Sequence, residues 1–255
     1  MFKYNVAICL ICKNENDYIN EWIEYHLNIG IEHFYIYDNM SDTPIKDTIK
    51  TEFLDKCTVV DWNLNVKEHG NIQILCYDNC IYHHKKEAKW IAFIDVDEFI
   101  DIKDGSNINE FIKRYDNYDG LYIDWITYNA NGEIKKTDKP VRERFLTICP
   151  YYDFEDVRGK CIVKAHKICG MSPHFPIMPK NMNVIVDSNC NRVYSAVGGG
   201  NAPTDKITIN HYITKSYEEW CDKIKRGSSV PEFKRKLNEF FYFNPEMKDV
   251  IKNVK

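Results

Sequence analysis

Over the first hundred residues, apolar side chains fall in short runs divided by polar turns, and the spacing inside the runs alternates between two kinds. Residues 4–12 (YNVAICLIC) are strongly apolar and predict a first strand, which stops at the polar turn Lys13-Asn14-Glu15-Asn16. The spacing then lengthens. Tyr18, Trp22 and His26, with Ile19, Ile23 and Leu27 beside them, recur every four residues, so 17–29 predicts a helix with one broad apolar face, closed by Gly30. Residues 33–37 predict a second strand, running into Asp38-Asn39-Met40-Ser41-Asp42. A helix from Pro44 to about Leu54, a strand over 57–62, a loop over 63–70 and a helix from Ile72 to about Glu87 follow. Residues 89–94 are then apolar, β-branched or aromatic almost without interruption, the pattern of a strand buried on both faces.

This strand–helix alternation predicts an α/β fold, with a mainly parallel sheet covered by helices on both faces. Beyond residue 100 the pattern predicts a helix over 106–115 with Ser106 as its cap and a strand over 121–128. A turn at 129–132 comes next. The stretch 133–197 is irregular, with short apolar runs at 161–163 and 184–186, and Gly198, Gly199 and Gly200 predict a flexible loop. A strand over 207–213 leads to Ser216-Tyr-Glu-Glu219, a capping box opening a helix that ends at Gly227. Residues 233–243 predict a last amphipathic helix. The reading is one domain over 1–255: a nucleotide-binding half (1–105), an acceptor and metal-completing half (106–227), and a C-terminal helix and tail (228–255).

The run at 89–94 ends in Asp95, Asp97 and Glu98. In an open α/β sheet ligands bind beyond the carboxyl ends of the strands, so these acids face a crevice. An extended chain puts Asp95 and Asp97 on one side, where they repel unless a cation lies between them. Hard ions such as Mg²⁺ or Mn²⁺ take one or two carboxylates together with substrate phosphates. The loops over the same edge carry Lys13, Asn14 and Glu15 after the first strand and Asp38 and Asn39 after the second.

Composition narrows the classes. A 44% apolar fraction, 28% charged residues and a net charge of −4 over 255 residues describe a soluble globular chain, with no broad basic face for nucleic acid. Lys223, Lys225, Arg226, Lys234, Arg235 and Lys236 thicken the positive charge late in the chain. They read as solvated helix faces, the alternative being a patch for peripheral contact with an acidic membrane. The ten cysteines lie scattered within apolar runs and lack zinc-finger spacing, which suits a reducing, cytoplasmic setting; no 18-residue apolar span is present.

Five stretches taken together resemble glycosyltransferase family 92, relatives of the family 2 enzymes with the GT-A fold. They are Ile11-Cys-Lys-Asn-Glu15, Tyr18…Glu21-Trp22…His26, His33-Phe-Tyr-Ile-Tyr-Asp-Asn39-x-Ser41, Phe93-Ile-Asp-Val-Asp-Glu-Phe99, and the late His211-Tyr212…Lys215-Ser216…Glu219-Trp220…Lys223…Arg226-Gly227. The likeness covers about 5–100 and 207–227. It implies a metal-dependent transfer of a sugar, galactose being one option, from a nucleoside diphosphate donor such as a UDP-sugar to a glycan hydroxyl. Inversion at the anomeric carbon and a role in surface polysaccharide or glycan assembly are further implications. By the family pattern Asp97 is the more direct metal ligand, while Asp95 meets the ribose or a metal-bound water. Asp38 accepts from the base, and Gln73 and Asn79 line the donor pocket.

His211, at the end of an apolar run, is the candidate third metal ligand, with His174 as rival. Lys215 and Arg226 suit the diphosphate, Lys215 standing just ahead of a helix N-terminus. Glu98 can stand behind the ligands or cap a helix. For the base that takes the acceptor proton, Asp124 (beside Trp125, a platform for a sugar face), Asp153, Glu155 and Asp156 stay unranked. Two rivals are a nucleotidyltransferase, disfavoured because the first loop lacks glycine, and a non-catalytic glycan- or nucleotide-binding relative.

Overall fold

The computed structural model describes residues 1–149, 159–179, 184–196, 202–231 and 233–252. Among these residues the strands are β1 (Tyr4–Cys12), β2 (His33–Asp38), β3 (Cys57–Asp61), β4 (Ala88–Phe93), β5 (Glu98–Ile102), β6 (Gly120–Thr127), β7 (Gly159–Val163), β8 (Gly170–Met171), β9 (Pro176–Ile177), β10 (Ile185–Val186) and β11 (Ile207–His211). The helices are α1 (Ile19–Asn28), α2 (Ile45–Thr48), α3 (Val66–His69), α4 (Ile72–His84), α5 (Ile108–Ile112), α6 (Val141–Arg144), α7 (Tyr217–Arg226), α8 (Phe240–Phe243) and α9 (Met247–Lys252). One large mixed sheet runs β3-β2-β1-β4-β7-β6-β11-β5, with β10 beside the start of β6. β1 to β4, β6 and β11 run the same way, and β7 and β5 run against them. The α/β sheet is mainly parallel, as the alternation predicted, and β5 and β7 make it mixed.

Helices cover both faces. Ile19, Trp22 and Ile23 of α1 and Ile108, Phe111 and Ile112 of α5 pack on one face with Ile8, Leu10, Trp90 and Ile123. Cys76, Tyr77, Cys80 and Ile81 of α4 pack on the other with Cys9, Tyr35, Phe93 and Val163. Strand alternation therefore divides β1 between two cores, which is why its sequence is apolar at every position from Val6 to Cys12. A third cluster joins Trp220 and Ile224 of α7 to Ala130, Phe240, Met247 and Ile251. All ten cysteines are free thiols. Among the described residues no helix is long and apolar enough to cross a membrane.

β5 was not anticipated. Its outer edge is closed by α1 rather than by another strand: the Trp22 indole N–H donates to the Glu98 carbonyl (2.8 Å), Tyr25 Oη–H to that of Ile100 (2.7 Å), and the Ile100 N–H donates to His26 Nε2 (3.3 Å). Unpaired strand edges invite unwanted pairing, and these side chains satisfy this one. His26, fully buried, donates from Nδ1 to the Trp22 carbonyl (2.8 Å), and burial lowers its pKa to about 3.

Other differences are local. Gly30 closes α1 at φ +98°, as expected, but the 106–115 helix starts at Asn107, whose side chain accepts from Asn109 N. The predicted loop 63–70 holds the single turn α3. The predicted helix over 233–243 forms only at α8, after a 3-10 turn at Leu237–Glu239. The Lys236 carbonyl is taken by the Trp220 indole (3.3 Å), and Pro245 disfavours helix at Asn244, so α9 begins afresh.

Candidate active site

Because β1 to β4, β6 and β11 share one direction, their carboxyl ends lie along one edge, and the antiparallel β5 and β7 begin there. That topology gathers the loop after β1, Asp95 to Asp97 after β4, Trp125 near the end of β6, Lys160 at the start of β7 and His211 to Lys215 at the end of β11.

The acids do not continue an extended chain. The Glu98 N–H donates to the Asp95 carbonyl (3.1 Å), making a tight turn between β4 and β5, and Glu98 Oε2 accepts from Asp95 N (2.8 Å). Glu98 thus caps the turn that carries the two aspartates. The turn also overturns the same-side argument, because each aspartate meets its own lysine. Asp95 Oδ2 pairs with Lys160 Nζ (2.9 Å) and its Oδ1 accepts from Gln73 Nε2 (3.1 Å). Asp97 Oδ2 pairs with Lys223 Nζ (2.6 Å), and its Oδ1 lies 3.8 Å from His211 Nε2.

The electrostatics follow from burial and charge. Burial alone would raise the Asp97 carboxyl, but the cations Lys223 and Lys215 hold it well below the usual carboxylate range. Burial pushes Glu98 well above its ordinary value, against the pull of Lys160, which lies 3.7 Å away. Burial lowers Lys223 to about 8, with Asp97 opposing it, whereas Asp95 and Glu98 outweigh burial at Lys160 and raise it. Burial takes His211 down to about 3, leaving a neutral imidazole.

The predicted nucleotide residues divide into two groups. Glu15 is buried and pairs with Arg226 and with Lys215 (3.8 Å), while the Lys13 carbonyl accepts from Arg226 Nη1 (2.9 Å). Lys215 sits at φ +51°, unusual for a side chain of its kind, with Nζ over the Tyr18 ring at 3.7 Å. Together with Gln73, these residues line the acid turn. The rest are engaged elsewhere. Asn14 (φ +53°) ties the first loop to the second through Ser41 and Asp42. Asp38 accepts from the N–H groups of Ser41 (3.1 Å) and Ile45 (2.8 Å), and Asn39 donates to the carbonyls of Trp62 and Leu64. Asn79 accepts from Tyr37 Oη (2.9 Å).

The start of α7 also differs from expectation. The capping box of Ser216 and Glu219 forms as predicted, and the N–H groups of Tyr217 and Glu218 donate to the carbonyls of Glu133 and Ile134. The first turn has no N–H left for an anion. α7 instead turns its later residues to the site, Lys223 and Arg226 lying three apart on one face.

Asp124 is buried on β6, one position from Trp125, so alternation sends it to the opposite sheet face. Asp153, Glu155 and Asp156 lie outside the described residues, as does the expected loop Gly198–Gly200. Sequence reasoning missed Lys160, which stood in the irregular stretch. Lys223, expected on a solvated helix face, instead turns inward to Asp97 (2.6 Å), and its helical spacing to Arg226 is the signal that could have found it.

Among the described residues no three His, Cys, Asp or Glu side chains converge closely enough to hold an ion alone. Asp97 with neutral His211 nonetheless offers two donors of suitable type, and small divalent ions commonly complete such a pair with phosphate oxygens. The donor set fits a cation that arrives with a diphosphate.

The chain matches the family model for glycosyltransferase family 92 over residues 4–249. It is 29% identical over 118 residues to a glycosyltransferase family 92 protein of Ricinus communis, covering 45% of this chain and 20% of that protein. It is 33% identical over 101 residues to a family 92 protein of Arabidopsis thaliana, covering 38% and 16%. A galactan beta-1,4-galactosyltransferase of Arabidopsis thaliana is 30% identical over 112 residues, covering 42% and 22%. The matched stretches thus span about a fifth of the length of these relatives.

Proposed function

This chain belongs to glycosyltransferase family 92, and from that premise we propose that it transfers a sugar from a nucleoside diphosphate donor to a glycan hydroxyl, on a GT-A type fold. The observation that carries the reading is the Asp97–His211 pair at the sheet's carboxyl edge, with Lys215, Lys223 and Arg226 beside it. A leaving diphosphate develops negative charge, and preorganised cations in a buried site stabilise it far better than water does. Asp97 and His211, with Asp95 nearby, would hold Mn²⁺ or Mg²⁺. When bound, such an ion would neutralise diphosphate oxygens.

UDP-galactose is the donor of choice, since the galactan beta-1,4-galactosyltransferase is among the relatives. Trp125 supplies an apolar face for a sugar ring. Asp153, Glu155 and Asp156 remain the base candidates, Asp124 lying on the sheet face opposite Trp125, and inversion is the expected outcome. The test is a screen of nucleotide sugars with Mn²⁺ over a panel of glycan acceptors, reading UDP or GDP release. Release with at least one donor, abolished in Asp97→Asn, supports transfer. A folded protein that releases nucleotide from none of them argues for the non-catalytic alternative.

A further inference from the structure

The residues around the acid turn run in a closed circuit. Asp97 Oδ1 lies 3.8 Å from His211 Nε2. The His211 ring packs on Trp125, with centroids 4.5 Å apart. Trp125 meets the edge of His174 at 5.3 Å and 78°. His174 Nδ1 bonds the Gly159 carbonyl at 3.0 Å, and Lys160, next in the chain, returns to Asp95 at 2.9 Å. His174 thus closes the side of the site opposite the α7 cations, although it comes from a loop the topology alone would not bring there.

Its ring is fixed for one task. A carbonyl can only accept, so Nδ1 carries the proton and Nε2 is left as a lone-pair acceptor. Burial and the nearby Lys160 lower the His174 pKa to about 4, keeping the ring neutral. His174 is half-buried, so its Nε2 is open to a donor from outside the protein, while the buried Trp125 indole N–H has no acceptor among the described residues. Buried polar groups are paired in the great majority of cases, and an exception points to a missing guest. An aromatic face flanked by an unmet donor and an open acceptor is the chemistry that recognises a hexose, whose ring carries apolar C–H faces and hydroxyl groups.

We propose that His174, through Nε2, accepts a hydrogen bond from a hexose hydroxyl lying against Trp125, and so selects the sugar rather than the nucleotide. This rests on the transferase reading above, and the hexose is either the one transferred or the one that accepts it.

Asparagine and glutamine separate the two ring nitrogens. His174→Asn can keep the bond to Gly159 but has nothing at the Nε2 position, whereas His174→Gln places an acceptor there and leaves Gly159 without its partner. Calorimetric titrations of the full chain would use UDP with Mn²⁺, UDP-galactose with Mn²⁺, and β-1,4-galactobiose. A neutral hydrogen bond is worth about 1 kcal/mol. In His174→Asn either UDP-galactose (donor sugar) or galactobiose (acceptor sugar) should therefore weaken by about five- to tenfold. UDP should stay within about twofold, and Gln should restore most of the loss. A purely structural His174 gives the reverse order, with Gln the damaged variant and UDP weakened alongside, and that overturns the proposal. So does a parent protein that binds neither hexose, or an Asn variant that binds both as the parent does. A parent that binds galactobiose but not UDP with Mn²⁺ sinks the donor reading and leaves His174 to be judged on the acceptor arm.

Discussion

Replacing Arg144 by Met should destabilise the chain more than any single change at its surface. The guanidinium is 1% exposed and donates to Glu219 (Nη2–Oε2, 2.7 Å; Nη1–Oε1, 3.2 Å) and to Glu133 (Nε–Oε2, 2.8 Å). Glu133 is 27% exposed and can turn to water, but Glu219 is 4% exposed and cannot. The Met variant leaves the Glu219 carboxylate buried without its cation, retaining only Tyr18 Oη (2.6 Å) and the Ser216 hydroxyl and N–H as donors. Breaking one side of a buried pair costs about 3–5 kcal/mol. Those three donors place the expected value near the lower end, about 3 kcal/mol, a large share of the ~5–15 kcal/mol that holds a typical domain together. Urea unfolding followed by circular dichroism would measure it. The double variant with Glu219→Gln should recover about 1–2 kcal/mol, because the stranded charge is gone. A loss below about 1 kcal/mol in Arg144→Met, or no coupling in the cycle, would refute this reasoning.

Stability should also fall in mild acid because of His26. Unfolded, it takes up a proton as pH drops through about 6.5; folded, burial delays this to about 3, so the contribution is whole above pH 6.5 and is lost below it. One such group removes about 1.4 kcal/mol by pH 5.5, and His26→Gln should show a shallower fall between pH 7.5 and 5.5 in urea titrations. Gly30→Ala forces a Cβ within 2.1 Å of the Asn107 side chain at φ +98°, so it should cost more than about 1 kcal/mol by thermal melting; an unchanged midpoint would mean that Asn107 moves aside freely. Lys160→Met strands Asp95 and Glu98 beside each other at the acid turn and should lower the melting point by several degrees, with partial recovery in Lys160→Met/Glu98→Gln.

The parts of the fold legible beforehand were those fixed by local pattern. β1, β2 and the capping box at Ser216 and Glu219 declare themselves through apolar runs or short-range hydrogen bonds, and all three form as predicted. β5 stayed hidden because its hydrogen-bonding partners are distant, β11 on one edge and the side chains of α1 on the other. The site divides along the same line. Asp95, Asp97 and His211 were visible as residues at strand ends, and the structure brings them to one edge. Lys160 was not, since an isolated lysine in an irregular stretch carries no sign that β7 will deliver it, 65 positions on, to Asp95. Asp38 and Asn39 were legible as polar turn residues, but only the fold shows their side chains already engaged with neighbouring backbone.

The most direct measurement is calorimetric titration of UDP into the parent chain and into Asp97→Asn, each with Mn²⁺ and again with chelator, alongside a melting curve for both proteins. The expected result is binding by the parent only when Mn²⁺ is present, with affinity lost in Asp97→Asn while its melting point stays near the parent's. Equal UDP affinity with ion and with chelator, or an Asp97→Asn protein that binds UDP with Mn²⁺ as the parent does, would contradict a metal-assisted diphosphate site at Asp97 and His211.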